Sequence, residues 1–563
     1  MSKVLLVLLI AVVITLLVGC APSPTPIPAP APSPTSKPSP ATTPAPAPSP
    51  TPAPTAGPKY GGIIRTWSTV TPPGFDNHRK PSYGPIFLQP IFNNLVMIDP
   101  RKQEISSANL IGDLAEKWIV SADGKVYTFY LVKGVKWHDG TAFTADDVVY
   151  NFQKISDPKR STLASDMPAY DRVEKVDDYT VKVYLKFPSP SFLVQLAGPY
   201  CSVQSKHLEN VDFRTTGFLV GTGPFKLKSY QSGVSMELVK NPDYFKKAAN
   251  GNKLPYLDGL TIYIMADKSA IIDAVVTGRY DGHASFLYNN QDEWDRGTKQ
   301  APTVTPEMYF PPNLSTITLN PNFGPFKDIR VRQALRLLLD RNAIAIAGWG
   351  DARWCNTDTY ILPPPYGLPP AEMQKLVGSD QSWDARVAQA KKLMADAGYA
   401  NGFKIRHVTR NIPAFTTPAV WFADMLRKNL NIDTELIPKD LVEGRKMRDV
   451  MDFEIFSDNP NVSMGDPDEF ASLFVTGGGQ NFIKMSKPEM DKLWAEQSQA
   501  ADFAKRVQLT QQIERLIIQD AWVWPLANNG YSCGWWPYVK GFQKQNAVWS
   551  AGKLRMDNVW LDK

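Results

Sequence analysis

The chain has 563 residues, more than one hydrophobic core usually holds, so two or three lobes are expected rather than a single compact domain. Its hydrophobic content of 43% and charged content of 21% are those of an ordinary globular protein. The net charge of +6 arises from 61 basic and 55 acidic residues, interspersed without a basic run, which argues against nucleic acid as a partner.

The first nineteen residues have the features of an export signal. The apolar run over residues 4–18 is shorter than the roughly 20 residues of a membrane-spanning helix, but it has the length of a signal-peptide core. It ends in Leu17-Val-Gly-Cys20, which resembles the bacterial lipobox, where cleavage before the cysteine exposes it for acylation. We therefore expect residues 1–19 to be a signal peptide and Cys20 to carry the lipid. An uncleaved anchor helix and a chance cysteine are the alternatives.

A proline-rich linker follows over residues 20–58. Pro, Ala, Ser and Thr dominate it, so it lacks the apolar side chains of a core and favours polyproline II. At roughly 3.1 Å per residue it would hold the folded part up to about 100 Å from the membrane. The mature protein is expected to lie outside the cytoplasm, tethered to the membrane by its N-terminal lipid.

Four cysteines, Cys20, Cys201, Cys355 and Cys533, form neither a CxxC pair nor a Cys/His cluster with zinc spacing. We therefore expect no metal site and no cofactor. Export permits a disulfide among the three cysteines beyond the signal, but their spacing does not indicate which would pair.

The folded part begins after Lys59 and mixes short strand-like runs with amphipathic helices, which indicates an α/β protein. Two apolar runs between residues 118 and 135 flank Asp123-Gly, which predicts a hairpin. Thr144 and Asp147 are spaced as the capping box of a following helix.

Three later segments have helical periodicity. Asp328 is the expected N-cap of a helix whose arginines we interpret as solvated or structural: Arg330, Arg332 and Arg336. A second helix is predicted from Ser382 to a stop at Gly398. A third spans residues 502–520, with a predicted inner face of Phe503, Val507, Thr510, Ile513 and Ile517.

A series of motifs extends along the folded part. The longest stretch contains Leu114-Ala-Glu-Lys-Trp118, Trp137-His-Asp-Gly-Thr141 and Phe143-Thr-Ala-Asp-Asp-Val-Val-Tyr150. Shorter motifs follow in order, namely Phe187-Pro-Ser-Pro190, Gly221-Thr-Gly-Pro-Phe225, Asn241-Pro-Asp-Tyr-Phe245, Gly278-Arg-Tyr-Asp281, Pro325-Phe-Lys-Asp-Ile-Arg330, Asp340-Arg341, Ala395-Asp-Ala-Gly-Tyr399, Gly465-Asp-Pro-Asp468 and Trp524-Pro-Leu526. Over most of residues 60–545 the chain resembles the family 5 extracellular solute-binding proteins, the dipeptide, oligopeptide and nickel-binding group of periplasmic receptors.

The resemblance implies an α/β clamshell of two lobes, with an extra subdomain on the first lobe. The implied limits are 60–100, 222–316 and 530–563 for lobe I, 101–221 for the extra subdomain and 317–529 for lobe II. The solute would lie between the lobes, which would close about a hinge near residues 317–320 and 527–530.

The resemblance also implies a function, that of a monomeric substrate-binding lipoprotein that captures a peptide-sized solute and delivers it to the permease and ATPase of an ABC-type importer. The chain contains no GxSxG, HExxH or Walker P-loop motif and no SxxK with its companions, which argues against an enzyme. Its histidines are scattered, and His138 in the Trp137-His-Asp-Gly turn is interpreted as structural. A surface sensor or adhesin on the same scaffold stays open, as does, less favoured, a secreted hydrolase.

The resemblance bears on the solute through one position. In peptide-binding relatives, a carboxylate three residues before the Asp-Pro-Asp motif pairs with the peptide α-ammonium, whereas this chain has Ser463 there. A buried ammonium without its carboxylate loses about 3–5 kcal/mol. Asp458 would replace it only if the loop 459–462, about two residues longer than usual in the family, turns that side chain inward. We therefore expect an oligosaccharide or another neutral polar solute, with a peptide as the alternative; Ser463 as a simple turn residue is also open.

The candidate ligand-binding residues are accordingly Tyr150, Ser457, Asp458, Ser463 and Asn528. Hydroxyl and amide side chains suit the hydrogen bonds of a polar solute, and the aromatic ring suits stacking against it.

Overall fold

Two four-stranded sheets and one five-stranded sheet organise the chain in the computed structural model. The structure describes residues 57–80, 84–103, 105–312, 315–459, 462, 465–527, 529–544 and 550–563. The predicted signal peptide, Cys20 and the linker up to residue 56 lie outside these ranges.

Helices and strands are mixed along the whole described chain. The strands are β1 (Ile63–Ser68), β2 (Val96–Ile98), β3 (Leu110–Gly112), β4 (Ala115–Val120), β5 (Val126–Leu131), β6 (Tyr170–Asp177), β7 (Thr180–Leu185), β8 (Phe225–Gln231), β9 (Ser235–Lys240), β10 (Gly259–Ile264), β11 (Gly282–His283), β12 (Glu307–Tyr309), β13 (Ser315–Leu319), β14 (Lys404–Arg410), β15 (Asp433–Lys439), β16 (Ile455–Asp458), β17 (Val523–Ala527), β18 (Tyr531–Trp535), β19 (Val539–Lys540) and β20 (Trp560–Leu561). The α-helices are α1 (Gly84–Leu88), α2 (Ala145–Ile155), α3 (Phe192–Leu196), α4 (Lys268–Val276), α5 (Gln291–Gln300), α6 (Ile329–Leu337), α7 (Arg341–Trp349), α8 (Pro370–Val377), α9 (Trp383–Asp396), α10 (Pro413–Leu430), α11 (Leu441–Asp449), α12 (Pro467–Phe474), α13 (Pro488–Gln499), α14 (Phe503–Asp520) and α15 (Ala551–Leu554). Short 3-10 helices span Asn77–Arg79, Ser107–Asn109, Ala164–Asp166, Lys206–Leu208, Thr216–Phe218, Gly324–Lys327 and Ala352–Trp354.

The first lobe contains a four-stranded sheet of order β1-β10-β9-β8, in which β1 and β10 are parallel. Its core includes Ile64, Phe225 and Leu260 together with Val559 and Leu561 from the C-terminal end of the chain. Segments from distant parts of the sequence therefore share one sheet and one core.

The extra subdomain contains an antiparallel sheet of order β4-β5-β7-β6, against which α2 packs. The predicted hairpin is confirmed, since β4 and β5 pair across a turn in which Gly124 has a φ of +69°. The predicted capping box is also confirmed, because Thr144 accepts from the Asp146 N–H while Asp147 accepts from the Thr144 N–H at 3.0 Å.

The second lobe is built on the five-stranded sheet, of order β15-β14-β16-β13-β17. Strand β14 runs parallel to β15 and β16, whereas β13 is antiparallel to β16 and β17. Helices cover the faces of this sheet, and the central strand β16 is buried at all four positions. Such burial is typical of a central strand whose sheet is covered on both faces.

The predicted helix ends of lobe II agree with the structure, with one correction. Asp328 caps α6, Ser382 caps α9, and Gly398 has a left-handed φ of +85° after that helix. The expectation that Phe503 lies on the inner face of α14 is wrong, because 58% of this side chain is exposed. Phe503 is the first residue of α14, and the buried stripe begins one turn later at Arg506.

The arginines of α6 have the structural role predicted for them. Arg332 donates to the carbonyl oxygens of Phe326 at 2.7 Å and Asp520 at 2.8 Å, and Arg336 donates to those of Ile518 and Leu376. Because guanidinium groups near helix C-termini satisfy the last carbonyls there, these side chains hold helices together.

Two chain segments connect the lobes. Strand β12 pairs with β18 in a three-stranded sheet of lobe I, and their continuations β13 and β17 pair in the sheet of lobe II. The described residues between these pairs are 310–312 on one side and 529–530 on the other. Of the predicted hinge residues, 529–530 lie between β17 and β18, whereas 527 belongs to β17 and 317–319 belong to β13. Closure about these segments stays a prediction.

The three cysteines beyond the signal are buried free thiols in the structure: Cys201, Cys355 and Cys533.

Candidate functional site

A pocket of about 220 Å³ lies beside the C-terminal end of β16. Its lining comes from β13, α11, β16, β17, the end of α12 and the segment after it, and includes Thr316, Thr318, Arg445, Arg448, Phe456, Asp458, Leu473, Gln480, Phe482 and Ile483. Side chains alternate between the two faces of a strand, so Phe456 and Asp458 face the same side, and this side is the pocket. The pocket therefore combines aromatic rings with charged groups.

Asp458 is the acidic side chain of this pocket and is only 6% exposed. Its Oδ2 atom accepts a hydrogen bond from Arg445 Nε at 2.9 Å, and Arg448 Nη1 lies 3.9 Å from the same oxygen. Arg410 Nη1 lies 3.9 Å from Oδ1, an oxygen that is buried and accepts no hydrogen bond from the described residues. One carboxylate is thus surrounded by three guanidinium groups, with one acceptor oxygen unused.

Arg448 contacts both an acidic neighbour and an aromatic ring of the pocket lining. Its Nε and Nη2 atoms donate to Asp449 at 2.9 and 2.7 Å, and its guanidinium carbon lies 3.3 Å from the centre of the Phe482 ring. Burial lowers the pKa of Arg448. The hydrogen bond with Asp449 acts in the opposite direction and raises it, but burial is the larger effect. Since Arg445 and Arg448 are three residues apart on α11, both project on the same side of that helix.

Ser457, a predicted ligand residue, lies on the other face of β16. Its Oγ atom is 2.6 Å from Nε2 of His407, and both residues are fully buried. Burial lowers the pKa of His407 to about 3, so the imidazole is neutral at pH 7. The structure thus places Ser457 in the sheet interior and only its neighbour Asp458 in the pocket.

The remaining predicted residues are not brought together at this pocket. Tyr150 lies on α2 in the extra subdomain, 5% exposed, with the Arg160 guanidinium 5.3 Å from its ring centre. Ser463, Asn528 and the lipidation residue Cys20 lie outside the described residues, so their roles stay predictions.

The pocket residues that the sequence reasoning missed are the two arginines and Phe482. The signal for them was the spacing Arg445-Lys-Met-Arg448 on a helix directly before a strand that ends in an aspartate. Among the described residues, no group of three or more His, Cys, Asp or Glu side chains is placed to hold a metal ion.

Comparison with known proteins decides the family. The family model described as bacterial extracellular solute-binding proteins, family 5 middle, matches residues 109–482. The chain belongs to this family. The periplasmic oligopeptide-binding protein OppA of Salmonella typhimurium is 28% identical over 483 residues, covering 80% of this chain and 83% of OppA. Heme-binding protein A of Haemophilus influenzae is 27% identical over 492 residues, covering 81% of this chain and 84% of its own.

Solved structures agree on the fold. The ABC transporter substrate-binding protein CtaP of Listeria monocytogenes superposes with a TM-score of 0.74 at 24% identity, covering 90% of this chain and all of CtaP. The α/β two-lobed fold is thereby confirmed. As a family 5 member the protein is a non-enzymatic solute receptor. In the part of the chain that the structure describes, every helix is too short or too polar to cross a membrane.

The Asp-Pro-Asp motif of this family 5 protein forms a buried ion cluster at the start of α12. Asp466 caps α12 and accepts from Arg506 at 2.7 and 2.9 Å, and Asp468 accepts from Ser498 at 3.1 Å and from Gln497. Burial, together with the charge of Asp466, raises the pKa of Asp468. The motif is thus explained by helix capping and ion pairing within lobe II.

The same cluster also joins the extra subdomain to lobe II. Ser191, the N-cap residue of α3, is fully buried, and its hydroxyl donates to Asp468. The two residues are 277 positions apart, and the chain between them crosses between the lobes. This hydrogen bond therefore ties the extra subdomain to lobe II without passing through the connecting segments.

Proposed function

We propose that this family 5 protein is the substrate-binding lipoprotein of an ABC-type importer. It captures a peptide-sized solute between its lobes and delivers it to the membrane permease and its ATPase. The observation that carries the proposal is Asp458, a buried carboxylate of lobe II with one oxygen that accepts no hydrogen bond from the described residues, which lines a pocket together with two arginines. Buried polar groups without a partner are costly in a protein interior, and ligand-binding sites commonly contain them.

The proposed domain limits are those of the family resemblance: lobe I comprises 60–100, 222–316 and 530–563, the extra subdomain 101–221, and lobe II 317–529. Closure takes place about the two connecting segments, and the closed form is the one that the permease binds. A monomer tethered by a lipid on Cys20 and the linker 20–58 reaches a permease in the same membrane.

Relatives and pocket chemistry together favour a charged solute. OppA of Salmonella typhimurium is an oligopeptide-binding protein by name, and peptides carry charged groups at both ends. A neutral oligosaccharide, expected from Ser463, would leave Arg445 and Arg448 beside a ligand without charge. The pocket therefore supports a peptide-sized solute with ionised groups more strongly than a neutral sugar.

A thermal-shift screen tests the proposal. Wild-type protein is heated with pools of di- to pentapeptides, their N-acetylated forms and oligosaccharides. A ligand present at 100 times its dissociation constant adds about 2.7 kcal/mol of stability. We expect one of the peptide pools to stabilise the wild type and to lose this effect in Asp458→Asn.

The partly exposed Asp424→Asn on α10, outside the pocket lining, serves as the matched control, and it is expected to respond to the pool like the wild type. Small-angle scattering with the active pool should give a smaller radius of gyration, as lobe closure requires. Stabilisation that is equal in wild type and Asp458→Asn, without any change in radius, would contradict the proposed site.

A further inference from the structure

A second pocket, of about 280 Å³, lies on lobe II away from Asp458. Its lining comes from α6, the start of α7, the segment before α8, α8 itself, the start of α9 and β17. On β17, Trp524 lines this pocket, whereas its neighbour Val523 lines the pocket of Asp458. Since neighbouring residues of a strand face opposite sides of a sheet, the two pockets lie on opposite faces of the lobe II sheet.

The arginines in the lining of the second pocket are already engaged by the protein. Both terminal nitrogens of Arg336 and of Arg341 donate to backbone carbonyl oxygens. Arg386 donates through Nε and Nη2 to two carbonyl oxygens at the end of α6 and just beyond it, at 2.8 and 2.7 Å, and its Nη1 lies 3.8 Å from Oδ2 of Asp340. Anions are bound best by guanidinium nitrogens that are free to donate. The pocket is therefore better suited to an uncharged ligand than to an anion.

Uncharged polar side chains supply the hydrogen-bonding groups of this pocket. They are the amides of Asn342, Gln374 and Gln381 and the hydroxyl of Thr357, and none of these four side chains makes a hydrogen bond with the described residues. Asn342 and Gln381 are exposed, and the other two are partly exposed, so a ligand can reach them. An amide presents donor and acceptor atoms side by side, which matches two adjacent hydroxyl groups.

Trp383, the first residue of α9, gives the pocket a flat aromatic wall. Its ring is partly exposed, has the ring of Trp421 edge-on at 6.3 Å, and has the Arg386 guanidinium 5.3 Å from its centre. The C–H face of a sugar ring is apolar, and an indole ring offers it a flat apolar surface of similar size. An aromatic wall beside several free amides thus suits a molecule with one apolar face and many hydroxyl groups.

We propose that this pocket is a second ligand site, which binds one ring of a neutral saccharide. The ring stacks on Trp383, and its hydroxyl groups exchange hydrogen bonds with the amides of Gln374 and Gln381. The volume is just below the roughly 300–1,000 Å³ of sites for drug-sized ligands, which suits a single ring. Because every lining residue belongs to lobe II, binding here requires no closure of the lobes and is independent of the solute captured between them.

Saturation-transfer difference NMR on the full chain tests the proposal. The probes are the methyl glycosides of glucose, galactose, mannose and N-acetylglucosamine, with glucuronic acid and glucose 6-phosphate as charged analogues. We expect at least one neutral glycoside to bind, and to bind more tightly than the charged analogues. Trp383→Ala should raise its dissociation constant about tenfold through the lost stacking, and Gln374→Ala about fivefold through lost hydrogen bonds.

Matched controls separate this site from the pocket of Asp458. Gln389→Ala removes an exposed glutamine of α9 outside the lining and should bind the glycoside like the wild type. Asp458→Asn should also bind it like the wild type, and small-angle scattering should give the same radius of gyration with and without the glycoside. If Trp383→Ala does not fold, as judged by its thermal melt, Gln374→Ala carries the test.

Three results would overturn the proposal: binding of no neutral glycoside, tighter binding of the charged analogues, or binding that Trp383→Ala and Gln374→Ala leave unchanged. Loss of glycoside binding in Asp458→Asn would place the sugar in the other pocket and would equally refute a second site. None of these results bears on the proposed receptor function, which depends on the response of Asp458→Asn to peptides.

Discussion

Acidification should destabilise the protein through its buried histidines, and His407 gives a clean measure of this effect. The imidazole lies in the central sheet of lobe II, fully buried, with Nε2 2.6 Å from Ser457 Oγ. Desolvation by burial lowers its pKa from 6.5 to about 3. The folded protein therefore keeps this ring neutral at a pH where the unfolded chain protonates it.

The sign and size of the effect follow from proton binding. Because the pKa is lower in the folded state, the contribution of His407 to stability is fully present above pH 6.5 and is lost as the pH falls from 6.5 towards 3. Between pH 7 and pH 5, protonation of this one group in the unfolded chain lowers the free energy of unfolding by about 2 kcal/mol.

Urea denaturation at pH 7 and pH 5 measures the effect in wild type and in His407→Gln. On acidification the free energy of unfolding of the wild type should fall by about 2 kcal/mol more than that of the variant, because glutamine does not bind a proton at this position. Other titrating groups are common to both proteins, including Glu514 and Asp468, whose raised pKa values act in the opposite direction. An equal loss in both proteins, or an NMR titration of the His407 ring near pH 6.5, would refute the reasoning.

Three further outcomes are expected. Arg506→Met leaves the carboxylates of Asp466 and Asp468 buried without their cation, so the free energy of unfolding in urea should fall by about 3–5 kcal/mol, and an unchanged midpoint would contradict the ion cluster. Ser191→Ala removes the hydrogen bond between the extra subdomain and lobe II and should cost about 1.5–3 kcal/mol in the same assay, whereas a neutral effect would mean that this contact is not maintained in solution. Intact-mass analysis of membrane-extracted protein should show cleavage before Cys20 with added acyl mass, and a Met1 N-terminus would exclude the anchor.

Much of the local structure was predictable because its causes lie within a few residues. The hairpin at Gly124 depends on a left-handed turn, and the start of α2 depends on Thr144 and Asp147 three positions apart. The helix ends at Asp328 and Gly398 are similar cases. The fold was predictable as well, because the series of motifs resembles those of a family, and the structural comparisons confirm the two-lobed architecture of that family for this chain.

The candidate site was only partly predictable, and strand geometry is one reason. Neighbouring positions on a strand face opposite sides, so Ser457 contacts His407 inside the sheet while Asp458 faces the pocket. The sequence suggested both residues as ligands but did not determine which side of β16 would face the solute.

The partners of these residues were decided by tertiary structure alone. Arg445 meets Asp458 because α11 packs beside β14, and Ser191 meets Asp468 across 277 positions because the extra subdomain touches lobe II. Periodicity and capping report contacts within about four residues, whereas the charge around a buried carboxylate depends on which distant elements the fold places against it. The sequence by itself therefore determined the family and the local elements of this receptor, and the packing of α11 on the lobe II sheet determined the charge of its pocket.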